Sequence, residues 1–121
     1  MKKSLLSLGL TAILTVVGAS SALAVPGDST SLTVTQSAPD YTRNIAGANK
    51  AGKITLQSQG LATADLWQAC PGRGDKLLTL NTSPSKTEDS SVVYMQEGCS
   101  YYAKVTSYSS SSATVYLRNY N

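Results

Sequence analysis

The 121-residue chain carries 10 Lys and Arg against seven Asp and Glu, has no His, and has two Cys. Without His, a Ser or Cys nucleophile lacks its usual base and a His-containing zinc site cannot form, which excludes the commonest hydrolase and zinc-enzyme arrangements. Lys2 and Lys3 lie in the first 24 residues, so the remainder has a net charge of +1 and no long-range field for nucleic acid or anionic lipid.

Residues 1–24 predict an export signal. Two lysines precede an apolar run from Leu5 to Val17, and the segment ends in an Ala-x-Ala cleavage site at Ala24. The run is shorter than the roughly 20 apolar residues that span a bilayer. We therefore expect a bacterial chain with one secreted domain over residues 25–121, extracellular or, where there is an outer membrane, periplasmic. We expect no membrane insertion after cleavage.

Short runs of β-branched and aromatic residues follow, separated by turn residues about every 8–12 positions. Polar and apolar residues alternate in Leu32–Thr35 and Ile54–Gln57, and Leu78 and Leu80 alternate with Leu77 and Thr79, as in strands with one buried face. Ser91–Met95 is apolar on both faces, which predicts an interior strand. The expected fold is all-β, a single antiparallel β-sandwich or jelly roll of about 7–8 strands.

Two cysteines in an exported chain predict one disulfide, Cys70–Cys99, which we expect to tie neighbouring elements with Trp67 packed close by. Closing this loop would stabilise the fold by about 3–4 kcal/mol on the chain-entropy account. The bridge matters because a domain of this size buries only a modest fraction of its surface.

The tripeptide Arg73-Gly74-Asp75 follows Cys70 closely and has two interpretations. It is a constrained loop offered to a receptor, or it is an ordinary solvated turn, for which Gly72 and Gly74 are suitable residues. We favour the turn, with Gly74 as a candidate for a positive φ angle.

The segments 99–108 and 113–120 predict a final hairpin with a five-residue loop, Tyr108–Ser112. Alternation directs one set of side chains inward: Cys99, Tyr101, Ala103, Val105, Ala113, Val115 and Leu117. The other set points outward: Tyr102, Lys104, Tyr108, Tyr116, Arg118 and Tyr120. The expected register sets Tyr102 opposite Arg118 and Lys104 opposite Tyr116, because the alternative sets Lys104 against Arg118, two like charges.

Tyrosines interleaved with cations can stack on sugar rings or hold an extended partner. We therefore take the candidate binding face to be the outward residues Tyr102, Lys104, Tyr116, Arg118 and Tyr120. The alternative is that tyrosine favours strands and that lysine and arginine protect a sheet surface.

The strings "ADLWQAC" and "EGCSYYAKVTSYSSSSATVYL" resemble bacterial secreted β-sandwich modules of the pre-peptidase C-terminal type. In those modules an Asp-Leu-aromatic strand precedes Gly-x-Tyr-Tyr and a closing strand. The resemblance covers about half of residues 25–121 and implies an accessory folding or binding domain. Because we expect no enzyme domain in this chain, we assign no residue roles from the resemblance.

Six carboxylates remain that could supply an acid and a base for glycosidic chemistry, and the adjacent pair among them could also contact calcium: Asp40, Asp65, Asp75, Glu88, Asp89 and Glu97. Each lies in or beside a turn-rich stretch, and Glu88-Asp89 lacks the alternating spacing of a calcium loop. We expect no enzyme, cofactor or metal. The first hypothesis is a secreted binding protein for a cell-surface glycan or a secreted protein; the alternative is an enzyme inhibitor or antibacterial effector that acts through the rigid loop Pro71–Lys76.

Overall fold

The computed structural model describes residues 27–35, 39–109 and 111–121. The predicted export signal and its cleavage site lie outside the described residues. Within those ranges, no helix is long and apolar enough to cross a membrane.

Nine β-strands form the regular structure of the described residues. The N-terminal ones are β1 (Ser29–Val34), β2 (Asp40–Tyr41) and β3 (Ile45–Ala46). The central ones are β4 (Lys50–Ser58), β5 (Ala62–Cys70), β6 (Arg73–Thr82) and β7 (Glu88–Met95). The last two are β8 (Ser100–Ser107) and β9 (Ala113–Arg118). The count is one or two strands above the predicted 7–8, because the two-residue strands β2 and β3 are too short to show alternation.

The strands form two antiparallel sheets. Sheet I has the order β1-β9-β4-β7, and sheet II has the order β2-β8-β5-β6, with β3 also paired to β8. Most consecutive strands lie in different sheets, and only β2–β3 and β5–β6 are consecutive strands of the same sheet. The predicted all-β, antiparallel sandwich with one disulfide is therefore confirmed.

The core lies between the inner faces of the two sheets. Strand alternation supplies it, because every second residue of a strand points to the same face. Its fully buried members include Ile54, Leu56, Leu66, Met95, Tyr101, Val105, Val115 and Leu117. Each large side chain removed from water stabilises the fold by about 1.5–3 kcal/mol, which offsets the entropy lost on ordering the strands.

The disulfide between Cys70 and Cys99 is confirmed. It joins the end of β5 to the residue before β8, and these strands are neighbours in sheet II. The prediction that Trp67 packs close to the bridge is wrong. Trp67 is three positions from Cys70, so it points to the other face of β5, where its ring stacks on Tyr102.

Tyr101 is fully buried, and its hydroxyl has a partner on either side. The hydroxyl accepts a hydrogen bond from the Gln96 N–H at 2.8 Å and donates one to Gln68 Oε1 at 2.5 Å. Burial raises the pKa of Tyr101, since the interior disfavours the charged phenolate. These bonds fasten β8 to β5 and to the turn that carries Cys99.

The predicted final hairpin is wrong. Strand β8 pairs with β2, β3 and β5, whereas β9 pairs with β1 and β4, so the proposed Tyr102–Arg118 and Lys104–Tyr116 pairs do not form. The connection, residues 108–112, of which Ser110 lies outside the described residues, crosses from one sheet to the other. Alternation determines which face of a strand is buried but not which strand lies beside it. The inward and outward assignments on both strands are confirmed.

The interpretation of Ser91–Met95 as an interior strand is also wrong. This segment belongs to β7, which is an edge of sheet I. Val92 is 50% exposed and Tyr94 is 59% exposed, while Val93 and Met95 contribute to the core. Apolar residues on both faces do not distinguish an interior strand from an edge strand, because only the tertiary fold decides whether the second face is covered.

Candidate functional site

The five predicted binding residues lie on two opposite surfaces. Tyr102 and Lys104 are on the outer face of sheet II. Tyr116 and Arg118 are on the outer face of sheet I, and Tyr120 follows directly after β9. The structure therefore divides the candidate binding face between the two sheets, and each half has different neighbours.

A groove of about 570 Å³ crosses the outer face of sheet I and contains the second half of the predicted set. Its residues come from β1, β4, β9 and the segment after β9: Ser29, Thr30, Ser31, Thr55, Gln57, Tyr116, Leu117, Arg118 and Tyr120. Tyr116 stands between Ser31 on β1 and Thr55 on β4. Because both neighbours are small, the ring projects above them and is 47% exposed.

Arg118 is held in place at one end of this groove. Its Nε donates a hydrogen bond to the Tyr120 carbonyl oxygen at 3.0 Å, and its Cζ lies 5.1 Å from the centre of the Tyr120 ring. A guanidinium over an aromatic face is stabilised by about 0.5–1 kcal/mol at such exposed sites. Arg118 sits between Ser29 on β1 and Lys53 on β4, so two cations are directly opposite each other.

The β1 side of the groove is anchored to sheet II. Arg43, between β2 and β3, donates hydrogen bonds to Asp28 Oδ1 and to the Ser29 carbonyl oxygen, both at 2.7 Å. The Arg43 guanidinium lowers the pKa of Asp28, and the Asp28 carboxylate raises the pKa of Arg43. At the other end of the face, the hydroxyls of Thr33 and Thr114 are 2.8 Å apart.

The outer face of sheet II carries an aromatic row made of Tyr41, Tyr102 and Trp67. The Tyr102 and Trp67 rings are nearly parallel, with centroids 6.4 Å apart, and Tyr41 is tilted against Tyr102 at 6.1 Å. Lys104 lies across from Asp65 and Tyr41. Since the rings pack on one another, the row covers the sheet as well as facing solvent.

Sequence reasoning did not place Trp67 or Tyr41 in this row. The signal for Trp67 was present, because Leu66 is an inward residue and the next position must point outward. Tyr41 had no such signal, since its strand is two residues long. The hydroxyl residues of the groove were equally missed, although Ser29, Ser31 and Thr55 alternate with inward residues.

The segment Arg73-Gly74-Asp75 is not a loop. It opens β6, an edge strand, and the reversal is made by Pro71 and Gly72, with Gly72 at a φ of 82°. Gly74 pairs with Ala69 and has no positive φ, so the candidate assignment to Gly74 is wrong. Arg73 Nη2 and Asp75 Oδ2 are 2.7 Å apart, because residues two apart on a strand share a face. The two charges are thus paired with each other.

The carboxylates considered for catalysis or metal binding are engaged separately. Asp75 binds Arg73, Asp65 accepts from Thr79, and Glu88 accepts from Gln57. The adjacent pair Glu88-Asp89 begins strand β7, and Asp89 accepts a hydrogen bond from the Asn81 N–H. In the described ranges, no group of three or more His, Cys, Asp or Glu residues is arranged to hold a metal ion.

The chain was also compared with protein-family models, with curated proteins and with solved structures. No family model, no curated protein and no solved structure matches it. The resemblance to pre-peptidase C-terminal modules therefore stays a prediction.

Proposed function

We propose that this protein is an exported, non-catalytic glycan-binding domain whose site is the groove on the outer face of sheet I. The observation that carries the proposal is the exposed Tyr116 ring between the hydroxyl residues Ser31 and Thr55, beside the anchored guanidinium of Arg118. An aromatic face, hydroxyls and an amide are the groups that complement a sugar, which has an apolar ring face and a polar rim.

The geometry supports stacking of a sugar on Tyr116. Ser31 and Thr55 flank the ring directly and leave it open above the sheet. Two residues further along their own strands, and therefore on the same face, the groove is lined by Ser29, Gln57 and Arg118. An extended, shallow groove fits a chain of sugars better than a small enclosed metabolite, since sites for small molecules bury most of the ligand surface.

The composition of the groove supports binding without catalysis. The described residues that line it include no Asp, Glu, His or Cys, the groups on which general acid, general base or nucleophilic chemistry usually relies. Glycoside hydrolysis in particular uses two carboxyl groups across the scissile bond.

The first prediction tests the role of Tyr116. In affinity electrophoresis through gels that contain a panel of soluble polysaccharides, Tyr116→Ala should lose the retardation seen with the parent protein. We expect an affinity about 5- to 150-fold weaker, taking as the scale for a sugar face the roughly 1–3 kcal/mol that a base contributes by stacking on one aromatic ring. The melting temperature should change little.

Tyr108→Ala is the matched control, since Tyr108 is 61% exposed and lies outside the groove. Retardation that survives Tyr116→Ala, or that is lost equally in Tyr108→Ala, would contradict the proposal. A parent protein that binds none of the polysaccharides would contradict it as well.

A second candidate function is an effector or inhibitor that acts through the disulfide-tied corner. Pro71-Gly72 and Glu97-Gly98 are two turns bridged by Cys70–Cys99, around a depression of about 300 Å³. Inhibitory loops are held rigid in this way because preorganisation reduces the entropy lost on binding. Inhibition of a secreted enzyme that Arg73→Ala abolishes, with unchanged glycan retention, would favour this candidate.

A further inference from the structure

We propose that the groove selects acidic polysaccharides, with Lys53 and Arg118 as the residues that recognise the negatively charged group of the sugar. This inference rests on the proposed function and specifies its ligand class. It comes from the placement of two cations directly opposite each other on neighbouring strands β4 and β9.

The cation pair opposes stability when no ligand is bound. Like charges directly opposite in a sheet are destabilising, and a sheet surface is ordinarily filled with opposite charges or neutral residues. The residues in register on the two flanking strands are Ser29 on β1 and Val92 on β7, and neither can neutralise a charge.

No described carboxylate forms an ion pair with Lys53 or Arg118. The ion pairs among the described residues join Arg43 to Asp28, Arg73 to Asp75 and Lys86 to Asp89. The acidic side chain on the same face is Glu88, four residues along β7 from Val92, or about 13 Å away, which exceeds the Debye length of about 8 Å at physiological salt. The pair therefore presents an uncompensated positive spot.

This positive spot lies next to the stacking ring. Tyr116 and Arg118 are two residues apart on β9, so they share a face and are separated by about 7 Å along the strand. A sugar ring on Tyr116 would direct a substituent, or the next sugar of the chain, toward Arg118 and Lys53. A guanidinium supplies the two parallel donors that a carboxylate or sulfate accepts, and an ammonium supplies an adaptable third.

The recognition is local and does not arise from the charge of the whole molecule. Residues 25–121 have a net charge of +1, which gives little general attraction for a polyanion. A charged sugar substituent at the groove is thus favoured over a phosphate backbone, whose binding depends on many cations distributed along a surface.

The experiment compares matched acidic and neutral polymers with the purified protein. Polygalacturonate and its methyl ester share a backbone and differ in charge, and dextran sulfate and dextran form a second pair. We expect each acidic polymer to bind at least about 10-fold more tightly than its neutral partner, since a hydrogen bond to a charged group is roughly twice as strong as a neutral one. Binding should weaken as NaCl rises from about 20 to about 500 mM.

Lys53→Gln is the central variant, and Lys104→Gln is its control. Both remove one positive charge from an outer sheet face, but Lys104 lies on sheet II opposite Asp65. Lys53→Gln should reduce affinity for the acidic polymer about 10-fold, leave affinity for the neutral polymer unchanged, and raise the melting temperature by about 1–5 °C, because the like-charge repulsion is removed. Lys104→Gln should leave both affinities unchanged.

The outcomes separate this inference from the proposed function. Equal binding of acidic and neutral polymers that Tyr116→Ala abolishes would overturn acid selection and leave the proposed function intact. Equal weakening by Lys53→Gln and Lys104→Gln, or oligothymidylate binding as tight as that of the acidic polysaccharide, would also overturn acid selection. Binding of no polymer, acidic or neutral, would overturn both proposals.

Discussion

The ion pair between Asp28 and Arg43 connects the two sheets at the point where β1 begins. Asp28 Oδ1 and Oδ2 accept from the Arg43 guanidinium at 2.7 and 3.3 Å, and the Ser29 N–H adds a bond at 2.9 Å. The hydrogen bond from Arg43 lowers the pKa of Asp28 below its ordinary value of 3.8, although partial burial acts in the opposite direction. The carboxylate thus stabilises the fold only while it is ionised.

The second prediction follows from this lowered pKa. Because the folded protein holds the Asp28 proton more weakly than the unfolded chain does, the contribution of Asp28 is fully present above about pH 5 and is lost as the pH falls through the folded-state pKa. Asp28→Asn should therefore lower the free energy of unfolding at pH 7. The difference in free energy of unfolding between the variant and the parent should shrink below pH 3.8. Urea unfolding at a series of pH values measures it, and a difference that is constant with pH would contradict the prediction.

At the scale of elements, the β5–β6 hairpin depends on a glycine at one position. Gly72 has a φ of 82° and follows Pro71, as in a type II turn, whereas Gly74 lies in regular strand opposite Ala69. A Cβ atom at Gly74 would meet only the Gln68 carbonyl oxygen, at 3.8 Å. The sequence presents both glycines in the same short string, and only the backbone distinguishes them.

The third prediction compares these two glycines. Gly72→Ala should destabilise the protein by about 1–2 kcal/mol, because an L-residue is strained at a positive φ. Gly74→Ala should be neutral or should stabilise by up to about 1 kcal/mol, since alanine restricts the unfolded chain. Thermal unfolding of the two variants measures the difference. Equal melting temperatures would mean that the turn does not need its positive φ.

At the scale of the whole molecule, the disulfide restrains the chain between two neighbouring strands of sheet II. Cys70 and Cys99 are 29 residues apart, and strands β6 and β7 lie in the loop that they close. Strand β6 is one edge of sheet II and β7 is one edge of sheet I, so each is paired with a strand on one side only. The bridge therefore limits the freedom of one edge strand of each sheet.

The fourth prediction concerns removal of this bridge. Replacing Cys70 and Cys99 by serine should lower the free energy of unfolding by about 3–4 kcal/mol, the loop-closure entropy for this separation. Guanidinium unfolding of the variant and of the parent measures the loss. Alkylation of the unreduced parent should detect no free thiol; modification of both cysteines would show that the bridge is absent from the protein in solution.

Local pattern was sufficient for several features of this protein. Alternation on β8 and β9 predicts correctly which side chains are buried, because the two faces of a strand follow from backbone geometry alone. The pairing of Cys70 with Cys99 needed no fold, since the chain has only two cysteines. The all-β class followed in the same way from short alternating runs separated by turn residues.

The candidate site required the tertiary structure. The connection after β8 has the length expected of a hairpin loop, yet β9 pairs with β1 and β4, strands that are distant in the sequence. Alternation by itself therefore determined that Tyr116 and Arg118 face solvent, and only the tertiary structure decided that Ser31, Thr55 and Lys53 lie beside them. The physical reason is that the face of a residue depends on its own strand, whereas its neighbours depend on contacts that all nine strands satisfy together.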